Sequence, residues 1–397
     1  MQRFIAFMMG VIIGGSLGAA HAEEDRLTVD QNGRPLSTYE HIEAIGRIGS
    51  GGNGNAAAKQ AWEALSKASA DALPRYLFAI DGKNPLADNY LRSLVDAVAE
   101  RALERHEKLP IRDLERFLQD QRRNPRARRL AYELIVRADP KSAEQLIPTM
   151  LDDPSLELRR DAVARVLESA DKQLAKGNKE PAASLFEKAL RSARDEDQVK
   201  LASEKLKELG RTVDLQRHFG FIAAWKLIGP FDNSGEKGYA VAYPPEEKLD
   251  FAAEYTGKAG AVKWIDHVTT DDYGNVDLNT AIGKHMGAVG YAAAEFHCDQ
   301  PRAIDLRIGT DCANKIWLNG RLVHQAEIYK ALTKLDQYIA KSELKAGRNL
   351  ILLKICQNEQ TEDWAQDWKF QFRICDEAGA PVLSEDREPV VDQEATP

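Results

Sequence analysis

Paired carboxylates hydrolyse glycosidic bonds when two of them face one cleft, about 5–9.5 Å apart. The second half of this chain offers Asp232, Glu246, Asp266 and Asp311 for that chemistry. Convergence of any two would indicate a glycan-active hydrolase or its accessory subunit, but their spacing does not dictate it. HExxH, a GxSxG elbow and a phosphate loop are all missing. His267, His285, His297 and His324 share no ligand spacing, so no metal is expected. Asp271 to Asn279 is rich in oxygen ligands that suit calcium, yet it lacks the glycine position and closing Glu of an EF-hand loop. It reads as a polar turn leading into a strand. Gly49 to Gly54 spells GxGxxG, but the residues before it, Tyr39 to Gly46, have helical spacing and no βαβ unit follows. A dinucleotide loop must leave a buried strand and open a helix. The segment is therefore expected to be a linker, and no cofactor is implied.

Two constellations suit binding better than catalysis. Gln357, Asn358 and Gln360 provide amide donors and acceptors for hydroxyl groups, and Trp364 in the same loop can pack an indole on a pyranose face. Trp368 and Trp317 sit in strand patterns and are assigned to the core. Arg122, Arg123, Arg126, Arg128 and Arg129 concentrate positive charge. They read either as a solvated helix junction or as a docking patch for an anionic partner, protein or polysaccharide. The whole chain carries a net charge of -8. That disfavours nucleic acid and anionic membranes, which are held by clustered Lys and Arg.

The elements that must position these residues change character along the chain. Residues 1–22 combine Arg3, a short apolar run from Phe4 to Leu17, and Ala20-His21-Ala22. This predicts a cleaved signal peptide, a periplasmic or secreted address, and no membrane span afterwards. Residues 23–55 are polar and glycine-rich, a flexible linker with a short helical stretch around Thr38 to Ile48. Over 56–218 apolar residues recur at helical spacing, as in Ala162, Val163, Val166, Leu167 and Ala170. Beyond Gly220, short alternating runs and turn signals predict an antiparallel β-sandwich over 219–380. Asn319-Gly320 between two apolar runs marks a hairpin. Trp368, Phe370, Phe372 and Ile374 alternate with polar residues as on a half-buried strand, while 349–356 reads as a strand buried on both faces. Residues 381–397 are Pro- and acid-rich and are expected to be disordered.

Cys298, Cys312, Cys356 and Cys375 all fall in the β region. In an oxidising compartment they allow two disulfides, with three possible pairings, or four reduced and partly buried thiols. A Cys356–Cys375 bond is disfavoured, because a hairpin about 358–366 would hold the two at opposite ends.

The segments 127–135 and 152–163 resemble HEAT-type repeats, and Ala182, Phe186 and Ala189 keep the spacing of a tetratricopeptide second helix. Trp225 to Asp232, Tyr243 to Glu246, Lys315 to Gly320, Leu344 to Lys354 and Trp368 to Phe370 occur in an order that resembles the galactose-binding-like jelly-roll domain of secreted bacterial proteins, which often follows helical repeats. Related domains carry an Asp-Asp-Gly turn where this chain has Asp311-Cys312-Ala313. The resemblance implies a multidomain α + β chain in which a HEAT/TPR-like array precedes a ligand-recognising sandwich. The expectation is thus a non-catalytic binding or scaffold protein, with the hydrolase and a purely structural module as alternatives.

Overall fold

The computed structural model describes residues 36–329, 333–362 and 365–386. The predicted signal peptide, Trp364 and residues 387–397 lie outside the described residues. The chain is mixed α and β and forms two compact units, 1–172 and 173–397. Among the described residues, no helix is long and apolar enough to cross a membrane.

The first unit is helical. α1 (Thr38–Gly46) starts with a reciprocal capping box: Glu40 N–H donates to Ser37 Oγ, and Ser37 N–H donates to Glu40 Oε2 at 2.7 Å. Its His41 and Ile45, with Ile48 beyond it, are buried. The short helical stretch expected around Thr38 to Ile48 is therefore a capped and packed helix and not a piece of flexible linker. Gly51, Gly52 and Gly54 have positive φ and turn the chain from α1 into α2 (Asn55–Leu65), so the GxGxxG letters connect two helices. Then come α3 (Leu73–Ala79), α4 (Pro85–Glu104), α5 (Ile111–Gln119), α6 (Pro125–Ala138), α7 (Pro140–Leu146) and α8 (Leu156–Ala175). Both α4 and α6 open on an Asn-Pro pair, Asn84-Pro85 and Asn124-Pro125. Each Asn side chain accepts the N–H groups of the first turn, and each Pro needs no partner there. The α4 stripe of Ala87, Leu91, Leu94, Val95, Val98, Ala99 and Ala102 is buried. Helices α3 and α6 pack on α4.

The second unit begins with α9 (Lys179–Ser192), α10 (Glu196–Glu208) and α11 (Leu215–Phe219). These helices group with the sheets, so the compact units divide inside α8, well before helix gives way to strand. The strands are β1 (Ala224–Asp232), β2 (Glu254–Gly257), β3 (Gly260–Lys263), β4 (Ile265–Val268), β5 (Val276–Asp277), β6 (Ala288–Cys298), β7 (Arg302–Gly309), β8 (Ala313–Leu318), β9 (Arg321–Ala326), β10 (Tyr338–Leu344), β11 (Gly347–Gln357) and β12 (Lys369–Cys375). Two short helices, α12 (Pro244–Glu247) and α13 (Leu278–Ala281), lie between strands. One sheet runs β4-β1-β6-β11-β8-β9 and the other β10-β7-β12-β5, with β2-β3 as a separate pair; the pairings are antiparallel. Asn319 and Gly320 both take positive φ at the β8–β9 turn.

The two larger sheets share one apolar core. Trp225, Ile351, Leu353 and Ile355 from the first meet Leu306, Ile308, Phe370 and Phe372 from the second, and Trp225 stands edge-on to Phe370 at 5.2 Å. Trp368 is fully buried, and a Cβ on Gly290 would come within 2.8 Å of its ring. A second cluster covers the other face of the six-stranded sheet, where Tyr239, Tyr243 and Val262 lie on Phe231, Tyr291 and Leu352. β6 and β11 are therefore buried on both sides, and the row of Ala292, Ala293 and Ala294 lets them approach Leu353, Leu352 and Ile351. The polar face of β12 is buried as well. Arg373 donates to Asp336 Oδ1 at 2.6 Å and to the Phe219 carbonyl at 2.9 Å, holding α11 and the turn before β10 against it.

The four cysteines are free and buried. Cys312 and Cys298 belong to the core between the sheets, whereas Cys356 points to the opposite face of the six-stranded sheet. Of the tail expected to be disordered, residues 381–386 are packed: Pro381 bridges Cys375, Val382 enters the shared core, and Ser384 Oγ accepts the His297 N–H at 2.8 Å. Strand pairing offered by β12 outweighs the polar composition of this stretch.

Candidate functional site

The amide loop at the end of β11 is built into the fold. Gln357 is 2% exposed and donates through Nε2 to the Gln366 carbonyl at 2.8 Å, while its backbone carbonyl accepts from Asn233 Nδ2 at 2.7 Å. Asn358 is also buried and donates to Glu236 Oε1, and its Oδ1 accepts the Gln360 N–H, both at 3.3 Å. Gln360 alone of the three is half-exposed. As ligand contacts, Gln357 and Asn358 are therefore corrected to ties that hold the β1–α12 and β11–β12 connections together. The reason is positional: β11 continues through Gln357, so residues assigned to a loop end a buried strand.

Three of the four carboxylates are each paired with a different lysine. Asp232 meets Lys258 at 3.2 Å, and Asp266 meets Lys226 at 2.6 Å. Glu246 accepts from Lys354 at 2.7 Å and from the Tyr291 hydroxyl. Lys354 is fully buried and also donates to the Tyr239 and Val241 carbonyls, at 3.2 and 2.6 Å. Burial lowers its pKa and raises that of Tyr291. All three ammonium protons are matched by acceptors, which makes the cluster a clamp between α12 and the sheet. Asp311 differs. Burial, and then the neighbouring Asp367, push its carboxyl up to about 6. In the 271–279 segment, Asp271 Oδ1 accepts from the Tyr273 and Asn275 backbones, so the oxygens organise a turn. Among the described residues, no cluster of His, Cys, Asp and Glu has the form of a metal site.

The arginine run divides. Arg128 is 0% exposed and forms a two-pronged pair with Asp153, Nη1–Oδ1 2.7 Å and Nη2–Oδ2 2.6 Å, while its Nε donates to the Leu118 carbonyl. It lies on the same helical stripe as Leu130, Ala131, Leu134 and Ile135, which carries it inward. Arg129 turns to Glu133 and Asp161. Arg128 is corrected from a docking contact to an internal tie, whereas Arg129 is a half-exposed tie between α6 and α8. Arg126 is exposed in the first turn of α6. Arg122 and Arg123 flank Asp120, at 2.8 and 2.9 Å, and line a groove.

That groove has a volume of about 1060 Å³. Three helices shape it, α1 and α3 through their off-core stripes and α4 through the start of its buried one. α1 contributes Tyr39, Ile42, Glu43 and Gly46 at intervals of three and four. α3 contributes Arg75 and Phe78, which face away from buried Leu73, Tyr76 and Leu77. The start of α4 contributes Ala87, Asp88 and Leu91. Tyr39 is 72% exposed and Phe78 60% exposed, and the Arg123 guanidinium lies 4.4 Å from the Phe78 ring centroid. Five cationic residues line it (Arg47, Arg75, Lys83, Arg122, Arg123) against three acidic ones (Glu43, Asp81, Asp88). Such a surface can hold an apolar group on the rings and an anion on the guanidiniums. Sequence reading missed it, although Phe78 carries a signal: it is a large aromatic that falls outside the stripe of its own helix.

No family model and no curated protein matches the chain. Among solved structures, a β-glucosidase from Kluyveromyces marxianus in complex with glucose is similar at 14% identity and a TM-score of 0.23, covering 38% of this chain and 16% of that one. The selenomethionine-labelled form of the β-glucosidase covers 75% and 38%, with 11% identity and a TM-score of 0.24. An anti-sigma factor domain-containing protein covers 43% and 51%, with 11% identity and a TM-score of 0.20. The chain thus spans only part of each of these proteins, and at such scores the likeness bears on neither fold nor activity.

Proposed function

We propose that this chain is an exported, non-catalytic binding and scaffold protein. In this reading the helical unit, a HEAT/TPR-like array, engages a protein partner. The two-sheet unit, a galactose-binding-like jelly roll, recognises a glycan or a protein surface. The observation that carries it is the groove, where the rings of Tyr39 and Phe78 are largely exposed to solvent on a surface also lined by arginines. A photo-crosslinking residue placed at position 78 of the full chain should yield covalent adducts with another polypeptide in the producing cell. The same residue at exposed position 136 should not. Absence of adducts at 78, together with no retention of the full chain on a broad glycan array, would end the reading.

One observation favours the hydrolase alternative, namely the Asp311 carboxyl beside Asp367, which burial raises to about 6. Release of reducing sugar from soluble glycans, abolished by Asp311→Asn, would establish it.

A further inference from the structure

We propose that the seat occupied by residues 381–386 on the two-sheet unit is a recognition site with a second occupant in the same chain, residues 389–394, which exchange with the first. The seat exists because β1 covers β6 only as far as Ala293, opposite Lys226, so the last residues of β6 keep an open edge on that side. The strap 381–386 closes this edge by strand addition. Ser384 Oγ accepts the His297 N–H at 2.8 Å, and the Glu385 N–H donates to the His297 carbonyl at 3.2 Å. Asp386 Oδ2 lies 3.8 Å from His297 Nε2. At the other end the Val382 N–H donates to the Ile374 carbonyl at 3.0 Å, and its side chain, 3% exposed, enters the core between the sheets. The strap thus ties the end of β12 in one sheet to the end of β6 in the other.

The sequence supplies the second occupant. Pro381-Val382-Leu383-Ser384-Glu385-Asp386 is matched eight residues later by Pro389-Val390-Val391-Asp392-Gln393-Glu394. Each position that the seat reads keeps its chemistry. Val390 repeats the core-entering Val382, and Val391 puts an aliphatic side chain in the place of Leu383. Asp392 offers a side-chain oxygen at the Ser384 position, the Gln393 backbone a donor at that of Glu385, and Glu394 a carboxylate at that of Asp386. Phe221, Ala224 and Phe296 share a cavity of about 230 Å³ with Val382 and Leu383, so the seat does not demand a single side-chain volume. Exchange lengthens the connection after Cys375 from five residues, 376–380, to thirteen, 376–388. Closure entropy grows only with the logarithm of length, so this step costs about fourfold in population. The turn is given up as well, including the Asp376 N–H bond to the Ala380 carbonyl at 2.9 Å and the Arg373 bond to the Gly379 carbonyl at 3.3 Å. These contacts make 381–386 the major occupant and 389–394 the minor one. A segment tethered this closely has an effective concentration on the order of millimolar, which selects the same chain over a second copy.

The test follows hydrogen exchange of the His297 amide by nuclear magnetic resonance in the full chain, isotopically labelled only at its eight histidines, with His297→Gln to assign the signal. Val382→Asp expels the first occupant, because an unpaired carboxylate is excluded from the core. The amide should then exchange at least about fourfold faster than in the parent. It should nevertheless stay at least about tenfold better protected than in Val382→Asp/Val390→Asp, where neither segment can enter. Val390→Asp alone should alter the rate by less than about twofold, since it removes only the minor occupant. Should the aspartates unfold the unit, seen as fast exchange at His267 and His324 too, Val382→Ala with and without Val390→Ala gives the same ordering in smaller steps. Equal exchange in the single variant at position 382 and in the double would overturn the inference. Protection in Val382→Asp that grows with protein concentration would overturn the same-chain assignment in favour of a second copy.

Discussion

Replacing Asp153 with Ala should cost the helical unit about 3–5 kcal/mol, the usual consequence of leaving one partner of a buried ion pair uncompensated. Both side chains are fully buried, and the substitution removes two charge-assisted bonds to Arg128, at 2.7 and 2.6 Å. The Ser155 N–H, which donates to Asp153 Oδ1 at 2.8 Å, is deprived of its acceptor as well. What remains is a guanidinium with the Leu118 carbonyl and the weakly accepting Met150 sulfur as partners, in a space water does not reach. The double variant Arg128→Leu/Asp153→Leu removes both charges and should recover most of the loss, to within about 1–2 kcal/mol of the parent. The two single variants and the double form a cycle with a large coupling term. Because the chain has two compact units, global unfolding need not be two-state. Urea melts should therefore be accompanied by hydrogen exchange of amides in α5 and α8, which locates the destabilised region. A single Asp153→Ala cost below about 1 kcal/mol would mean that the guanidinium is hydrated and the burial argument is wrong.

Further outcomes follow from the second unit. The Asp311 carboxyl is held at about 6, above its ordinary 3.8, so the folded chain binds that proton more tightly than the unfolded one. Stability should fall as pH rises from about 4 to 6, and Asp311→Asn should flatten this slope in pH-dependent melts and gain about 1–2 kcal/mol at neutral pH, discounted for partial solvent screening. His218 behaves oppositely. Burial, with Arg194 and Arg373 nearby, lowers it to about 4, so stability should be lost as pH falls from 6.5 towards 4, by up to about 3 kcal/mol. His218→Gln should remove that dependence, and an unchanged acid limb would refute the assignment. Gly290→Ala should destabilise by about 1–3 kcal/mol through overpacking against Trp368, with a change in near-ultraviolet circular dichroism.

The features readable in the sequence were those fixed by local periodicity and turn chemistry. Asn319-Gly320 makes the turn its residue types require, and the inward row Trp368, Phe370, Phe372 and Ile374 is buried. What local pattern does not encode is which polar residue finds a partner distant in sequence. Arg128 and Asp153 look solvated one at a time, and only their meeting permits both to be buried. The same holds for the outer side of β12, where Gln371 and Arg373 read as solvent-facing until Asp336 and the end of α11 close over them. Gln357 and Asn358 read as loop because amides favour loops, yet their partners arrive from the connection after β1. The groove escaped for the complementary reason. Its rings are where periodicity says water should be, and their significance emerges only when α1, α3 and α4 are assembled.

The Lys354 clamp has a consequence for recognition by the second unit. By pinning the excursion between β1 and β4 across the broad outer surface of the six-stranded sheet, the molecule has bandaged the platform that a long ligand could otherwise lie along. Lifting that dressing would strand an ammonium among aromatic rings, so the cover should stay in place for as long as the sheet itself survives. A ligand approaching this face of the sheet meets that cover first.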